Sequence, residues 1–308
     1  MCIRDRYILR EALPEAKAED TGKVNIEGTE KFFTVTGAGF VYTFENGMLS
    51  QLKKGDKGYL IKPFSPNFYR PLTDNDIDYL NFTPPLIFAN PLFQWRRSTA
   101  LAKSKAVLVH RYSHSAYIET QISVIGMKNV KICYTVHSDG RISVSYEGTA
   151  LMDMLRFGLQ FRMSGEYDNV KWYGRGPHET YCDRKTGGKF GVYEMKVQDL
   201  EHRYMRPQEN GQRTDVRFLE ITDNEKHGLR FTAKGGSPFC FGALRYSLED
   251  LDKATHEHLL PHQNFTNVTL DLMQRGVGGD APGSACLHEP YIMHKGKTYK
   301  LEFDIEVK

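Results

Sequence analysis

Residues Tyr299–Val307, Y-K-L-E-F-D-I-E-V, alternate without a fault: Tyr299, Leu301, Phe303, Ile305 and Val307 fall on one face, Lys300, Glu302, Asp304 and Glu306 on the other. Successive side chains of a strand point to opposite faces, so this is the pattern of a half-buried strand. The same period of two recurs in Ile142, Val144, Tyr146, in Leu229, Phe231, Ala233 and in Val268, Leu270, Leu272. Glu45-Asn46-Gly47, Ser138-Asp139-Gly140, Asn210-Gly211 and His294-Lys295-Gly296 tolerate positive φ or tight reversal, which predicts antiparallel connections. Helical periodicity is scarce. Its best stretches are Ser247 to Ala254, where Leu248 and Leu251 share a face, and Leu9 to Ala18, which Pro14 interrupts. Many strands, frequent turns and few helices predict an all-β chain of two stacked antiparallel sheets.

The composition fits such a core. Of 308 residues, 40% are hydrophobic and 12% aromatic, and 41 Lys plus Arg against 38 Asp plus Glu leave a formal charge of +3. The basic residues are dispersed rather than striped, which argues against nucleic acid as a partner. No apolar run approaches the roughly 20 residues that cross a bilayer, and the N-terminus has charges where a signal peptide needs an apolar stretch; no membrane partner is expected, and the compartment stays open. The five cysteines, Cys2, Cys133, Cys182, Cys240 and Cys286, form no C-x-x-C pair and read as reduced thiols, with Cys133 and Cys240 as small core residues.

Trp172 to Arg184, W-Y-G-R-G-P-H-E-T-Y-C-D-R, packs turn-forming residues (Gly174, Gly176, Pro177) among Tyr173, Arg175, His178, Glu179, Tyr181, Asp183 and Arg184. Such a connector is either a functional site or a buried polar corner in which Glu179 and Asp183 neutralise Arg175 and Arg184. The irregular stretch Phe64 to Pro91 is long for a connection and reads as functional or as packed across a sheet end. Within it, Arg70 followed by Asp74, Asn75 and Asp76 has the makings either of a fork-type salt bridge closing the loop or of a contact to a neighbouring domain, the structural role being preferred. Phe88, Phe93 and Trp95 supply aromatic surface for either a domain interface or the core. His256 and His258, two apart on one expected strand face with His262 beyond, are a conceivable metal arrangement, but the spacing sets no third ligand and the structural reading is preferred.

Several stretches together resemble the C-terminal portion of the β-galactosidases of glycoside hydrolase family 2. They are F-V-Y-T-F-E-N-G-M-L-S-Q-L (Phe40 to Leu52), N-F-Y-R-P-L-T-D-N-D (Asn67 to Asp76, with Pro71 at the family's Ala position), W-Y-G-R-G-P-H-E-T-Y-C-D-R, P-Q-E-N-G-Q-R (Pro207 to Arg213, with Glu209, Asn210 and Gly211) and G-V-G-G-D (Gly276 to Asp280). The resemblance implies a large antiparallel β-supersandwich, galactose mutarotase-like, over residues 30–308. Residues 21–29 would be a linker, and residues 1–20 a non-native leader followed by the tail of a preceding immunoglobulin-like domain.

It further implies that the catalytic carboxylates lie on an upstream (β/α)₈ barrel that this chain lacks, so that the isolated chain is inactive. The implied partners are that barrel and the immunoglobulin-like domains of the same polypeptide, the β-galactoside substrate, and further copies in a homo-oligomer. No cofactor or metal is expected in this chain; Mg and Na ions of full-length relatives bind outside the segment. Relatives carry a Trp in the loop after G-x-G-G-D that stacks on the sugar. Gly283 stands there in this sequence; Gly279 and Asp280 are the other rim candidates, although for Asp280 a turn-capping role is the preferred reading.

A retaining glycosidase needs two carboxyl groups about 5 Å apart across the sugar. Glu179 with Asp183, Asp74 with Asp76, and Glu289 alone all neighbour Arg, Asn or turn residues, a setting for plain ionised carboxylates, so no catalytic residue is nominated. The competing function is a free-standing mutarotase-like aldose 1-epimerase with His178 and Glu179 as its acid and base. A non-catalytic carbohydrate-binding module is the third.

Overall fold

The computed structural model describes residues 22–77, 91–261, 263–279 and 287–308. Five short strands come first, hydrogen-bonded in chain order as an antiparallel meander: β1 (Asn25–Gly28), β2 (Phe32–Gly37), β3 (Phe40–Glu45), β4 (Met48–Lys54) and β5 (Lys57–Gly58). Then follow β6 (Lys62–Asn67), a helical turn α1 (Asp74–Ile77), helix α2 (Gln94–Ala100), β7 (Lys103–Arg111), β8 (Ser115–Ser123), β9 (Met127–His137), β10 (Ile142–Ala150), β11 (Arg156–Ser164), β12 (Asn169–Gly176) and β13 (Lys189–Lys196). The chain continues through β14 (Arg213–Val216), β15 (Phe218–Thr222), β16 (Gly228–Ala233), β17 (Phe239–Leu244), helix α3 (Leu248–Lys253), β18 (Phe265–Gln274) and β19 (Thr298–Val307).

A nine-stranded sheet, in the order β13-β12-β15-β16-β19-β10-β9-β8-β7, faces both the meander and a second five-stranded sheet, β14-β17-β18-β11-β6. The expected supersandwich is present. Rings meet across the layers: Phe44 of the meander against Tyr134 at 5.3 Å, Phe157 of β11 against Tyr146 at 4.5 Å, and Phe241 of β17 against Trp172 at 5.6 Å. Each ring so buried contributes on the order of 2 kcal/mol of transfer free energy. In β19 the alternation read from the sequence holds, with Tyr299, Leu301, Phe303 and Ile305 buried and Val307 half-buried.

The turn signals also hold. Asn46 and Gly47 both have positive φ (50° and 80°), as a two-residue hairpin requires. A Cβ on Gly47 would lie 2.2 Å from Thr120 Oγ1, so the hairpin tip packs on β8 only because it lacks one. Helix α3 begins at Ser247, whose Oγ accepts from the Asp250 amide at 3.1 Å while Asp250 accepts from the Ser247 amide at 2.9 Å, and it buries Leu248 and Leu251.

Cys240 is buried as expected, but Cys133, also expected in the core, is half-buried because it alternates with the inward Ile132 and Tyr134 of β9, and four further expectations change. The first half of the Trp172–Arg184 connector is strand β12, paired with β13 and β15, because Trp172 points into the core and Gly174 lets Val216 approach. Asn25–Gly28, expected within a linker, pairs with β2. Trp95 sits on a helix absent from the sequence reading and is fully buried, its indole N–H donating to Asp153 O at 2.7 Å, so it belongs to the core. His256 and His258 lie at the start of and within a single 3₁₀ turn, Glu257–Leu259, not on a strand. Residues 1–20 with the Leu9 to Ala18 stretch, Cys2, Phe88, His262, Asp280, Gly283 and Cys286 lie outside the described residues.

Candidate functional site

The outward face of the second five-stranded sheet is polar and yet buried. Strand β18 presents Val268 and Leu270 to the core and Asn267, Thr269 and Asp271 to the other side, and all five are buried. The segment that follows β13, including P-Q-E-N-G-Q-R, supplies partners over this face. Arg156, 1% exposed, stands between two carboxylates: its Nη2 donates to Glu209 at 3.0 Å and its Nε lies 3.2 Å from Asp271. Gln274 donates to Glu209 at 3.0 Å, and Gln212 and Gln274 reach Asp271 at 3.3 and 3.4 Å. Burial pushes the Asp271 carboxyl up to about 7, against the pull of the Arg156 guanidinium.

Beyond the end of β18, side chains from two separate motifs converge on the backbone of residues 275–278. Arg70 donates to the Arg275 carbonyl at 2.8 Å and the Gly276 carbonyl at 3.0 Å. Asn75 donates to the Val277 carbonyl at 2.9 Å, and Asp183 accepts from the Gly278 amide at 2.7 Å. Arg70 is itself held by both oxygens of Asp76 at 3.0 Å, and Asp76 in turn accepts from the Thr73 amide and hydroxyl. Burial works against the charge on Arg70, but the Asp76 and Glu209 carboxylates outweigh it and raise its pKa. Gly276 is required by close approach, since a Cβ there would lie 2.6 Å from Asp183 Oδ2 and 2.7 Å from Leu287 Cδ1. These contacts fix the stem of the G-V-G-G-D loop.

The rest of the connector is a framework around that stem. Trp172 is buried against Tyr193 and donates to the Arg175 carbonyl at 3.0 Å. A Cβ on Gly176 would lie 2.9 Å from the Trp172 ring, and the Gly176–Pro177 peptide is cis. Arg213 donates to the carbonyls of Pro177, Leu200 and Gly211, each at 2.8 Å, and burial lowers its pKa to about 10. Tyr181 is fully buried, which holds its phenol well above the usual range. Burial likewise pushes the Cys182 thiol up to about 11, which keeps it unreactive.

The expected ion pairs are only partly those found. Arg184 does pair with Glu179, but Arg175 pairs with Asp215 at 2.6 Å, and Asp183 spends an oxygen on the Gly278 amide. Asp74 turns outward to Arg206 at 2.7 Å. Gly211, at φ 77°, presents its amide to Glu179 at 2.8 Å, and Asn210 accepts from the His202 amide at 3.2 Å. Gly279, where the stem ends, is exposed. Arg156, Asp271, Gln212, Gln274 and Arg213 were not singled out from the sequence: Arg156 and Asp271 read as outward-facing polar positions of their strands, and no residue pattern shows that this face is covered.

Chemically, these carboxylates are committed to holding structure. Glu179 accepts from the Gly211 amide, Tyr204 and Arg184, and its neighbour His178 is exposed. Glu209 and Asp271 share one guanidinium beneath the surface. Among the described residues, Asp223, Glu225 and His227 come near enough to one another to hold a metal. The Lys57 ammonium sits among them, 2.8 Å from His227 Nδ1, 3.3 Å from Glu225 and 3.5 Å from Asp223, and already supplies the positive charge.

The family described as β-galactosidase small chain matches residues 36–305. The chain belongs to that family. Among its relatives are the β-galactosidase of Priestia megaterium, 29% identical over 98% of this small chain and 29% of the relative, and that of Streptococcus thermophilus, 36% identical over 58% and 17%. The small chain thus spans less than a third of the length of the curated relatives it matches. Its fold is that of the galactose 1-epimerase of Lactobacillus acidophilus NCFM, with a TM-score of 0.51 at 8% identity over 94% of this chain and 99% of the epimerase.

Proposed function

We infer that this small chain is the C-terminal part of a retaining β-galactosidase of glycoside hydrolase family 2 that removes terminal β-D-galactose, with the acid and nucleophile on an upstream barrel. Its own work is to shape the active-site rim and to pack against the other domains of the polypeptide. The observation that carries this reading is the convergence of Arg70, Asn75 and Asp183 on the backbone of residues 275–278. A stem anchored this densely fixes where the loop leaves the sheet, which is what a rim needs. The described carboxylates of the site, Glu179, Asp183, Glu209 and Asp271, are engaged in holding that stem and its framework, which supports a source of the cleavage chemistry outside them.

The test is kinetic. The purified chain should leave a nitrophenyl β-galactoside unhydrolysed, and turnover at roughly 1 s⁻¹ or more would overturn the reading. A longer polypeptide that includes the barrel should be active, and Asn75→Ala within it should lower kcat/KM without unfolding the protein.

A further inference from the structure

A second concave site lies away from the loop stem. A cleft of about 230 Å³ opens where the β2–β3 hairpin meets the β9–β10 turn and the end of β19. Through the sheet register, Val307 aligns with Leu229, Ile221 and then Val170, near the start of β12, whereas the loop stem lies past Gly176 at that strand's other end. The two sites are therefore separate.

The cleft is lined by aromatic rings and by side chains of both charges. Phe40 stacks on Tyr42 at 4.6 Å, and the Tyr42 hydroxyl donates to the Gly140 carbonyl at 2.6 Å. Lys54 and Arg141 contribute two cations, Asp139 and Glu306 two carboxylates. Lys54 donates to the Val307 carbonyl at 3.0 Å, and Arg141 is spent largely on Ser143 and Asp304. Among the described residues no hydrogen bond or ion pair holds the Glu306 carboxylate. Gly39 and Gly140, at φ 80° and 88°, fix the two turns that form the walls.

These features select a ligand class. An anion would meet Asp139 and Glu306, and a cation would meet Lys54 and Arg141, so a balanced wall disfavours either. A neutral molecule whose hydroxyls both donate and accept satisfies both kinds of wall group at once. The volume corresponds to on the order of fifteen water-sized positions, room for one pyranose ring with its hydroxyls. We propose that this cleft between the β2–β3 hairpin and the end of β19 is a binding site for a single neutral sugar ring, with Glu306 and Lys54 as its hydrogen-bonding partners. The proposal stands apart from the galactosidase reading and uses no property of the loop stem.

The experiment is an amide-resolved NMR titration of the ¹⁵N-labelled 308-residue chain with D-galactose, D-glucose and inorganic phosphate. Saturable shifts at Gly39, Gly140 and Val307 are expected for at least one hexose at millimolar concentration, and none for phosphate. Ala38→Trp places a large ring at the exposed mouth and should abolish saturation, while Glu306→Gln should weaken it at least about threefold, the loss of one modest hydrogen bond. No saturation by about 100 mM hexose, saturation by phosphate instead, or full retention in Ala38→Trp would each overturn the proposal.

Discussion

Asp183 Oδ2 lies 2.7 Å from the amide nitrogen of Gly278, joining residues 95 positions apart in the chain. One end of that bond follows the Gly-Pro corner after β12, and the other is the stem of the loop after β18. A charge-assisted bond to a backbone amide is worth about 1.5–3 kcal/mol. Asp183→Ala should therefore lower stability by about 2 kcal/mol in urea denaturation and raise amide exchange at Val277 and Gly278. An unchanged exchange rate at those amides would show that Arg70 and Asn75 hold the stem without it.

The same approach makes Gly276 sensitive to a single methyl group. With Asp183 and Leu287 already within 2.7 Å of where a Cβ would stand, Gly276→Ala must push one of them away. The expected cost is about 1–3 kcal/mol, seen as a lowered Tm. A Tm equal to that of the parent would mean that the stem yields freely.

Arg156 carries a larger share. Removing it leaves Glu209 and Asp271 buried without their common cation, a loss of about 3–5 kcal/mol for Arg156→Met measured by urea unfolding. Arg156→Lys should recover only part, because one ammonium cannot face both carboxylates as the guanidinium does. Equal stability of the two variants would contradict the shared-guanidinium arrangement.

Asp271 gives the pH dependence its sign. Its carboxyl titrates near 7 in the folded chain, above its ordinary value of 3.8, so between those values the folded state holds the proton more tightly than the unfolded one. This group's contribution to stability is full below pH about 4 and is lost as pH rises to about 7. Urea midpoints from pH 4 to 8 should therefore fall more steeply in the parent than in Asp271→Asn. Parallel profiles would place the folded-state titration of Asp271 near its ordinary value.

Much of this was legible in the sequence, for physical reasons that differ by residue. Strand β19 showed itself because one of its faces packs into the core, with Tyr299 against Phe157 of β11, while the other is wetter, and a period of two records that difference. Asn46-Gly47 announced its hairpin through backbone preference alone. Strand β18 was legible only in part: Val268, Leu270 and Leu272 gave its period, but the face carrying Asp271 is also buried, and a residue pattern does not reveal what covers a sheet. Arg156 was hidden for the same reason. Trp95 was ambiguous because a helix of seven residues leaves too little periodicity to see. The motif residues were legible as a group through the family resemblance, but not their targets, since a bond to a backbone carbonyl or amide leaves no mark on the residue that supplies it.

The strand nearest the C-terminus, β19, lies in the middle of the large sheet, between β16 and β10. A ribosome emits β10 and β16 long before it emits their shared neighbour. Until Thr298–Val307 emerges, each of those strands offers a bare hydrogen-bonding edge to other nascent chains, and the sheet exists only as two unconnected ribbons. A chain cut short by a dozen residues would lose its central seam rather than a fraying margin, and should accumulate in inclusion bodies instead of folding with a trimmed tail.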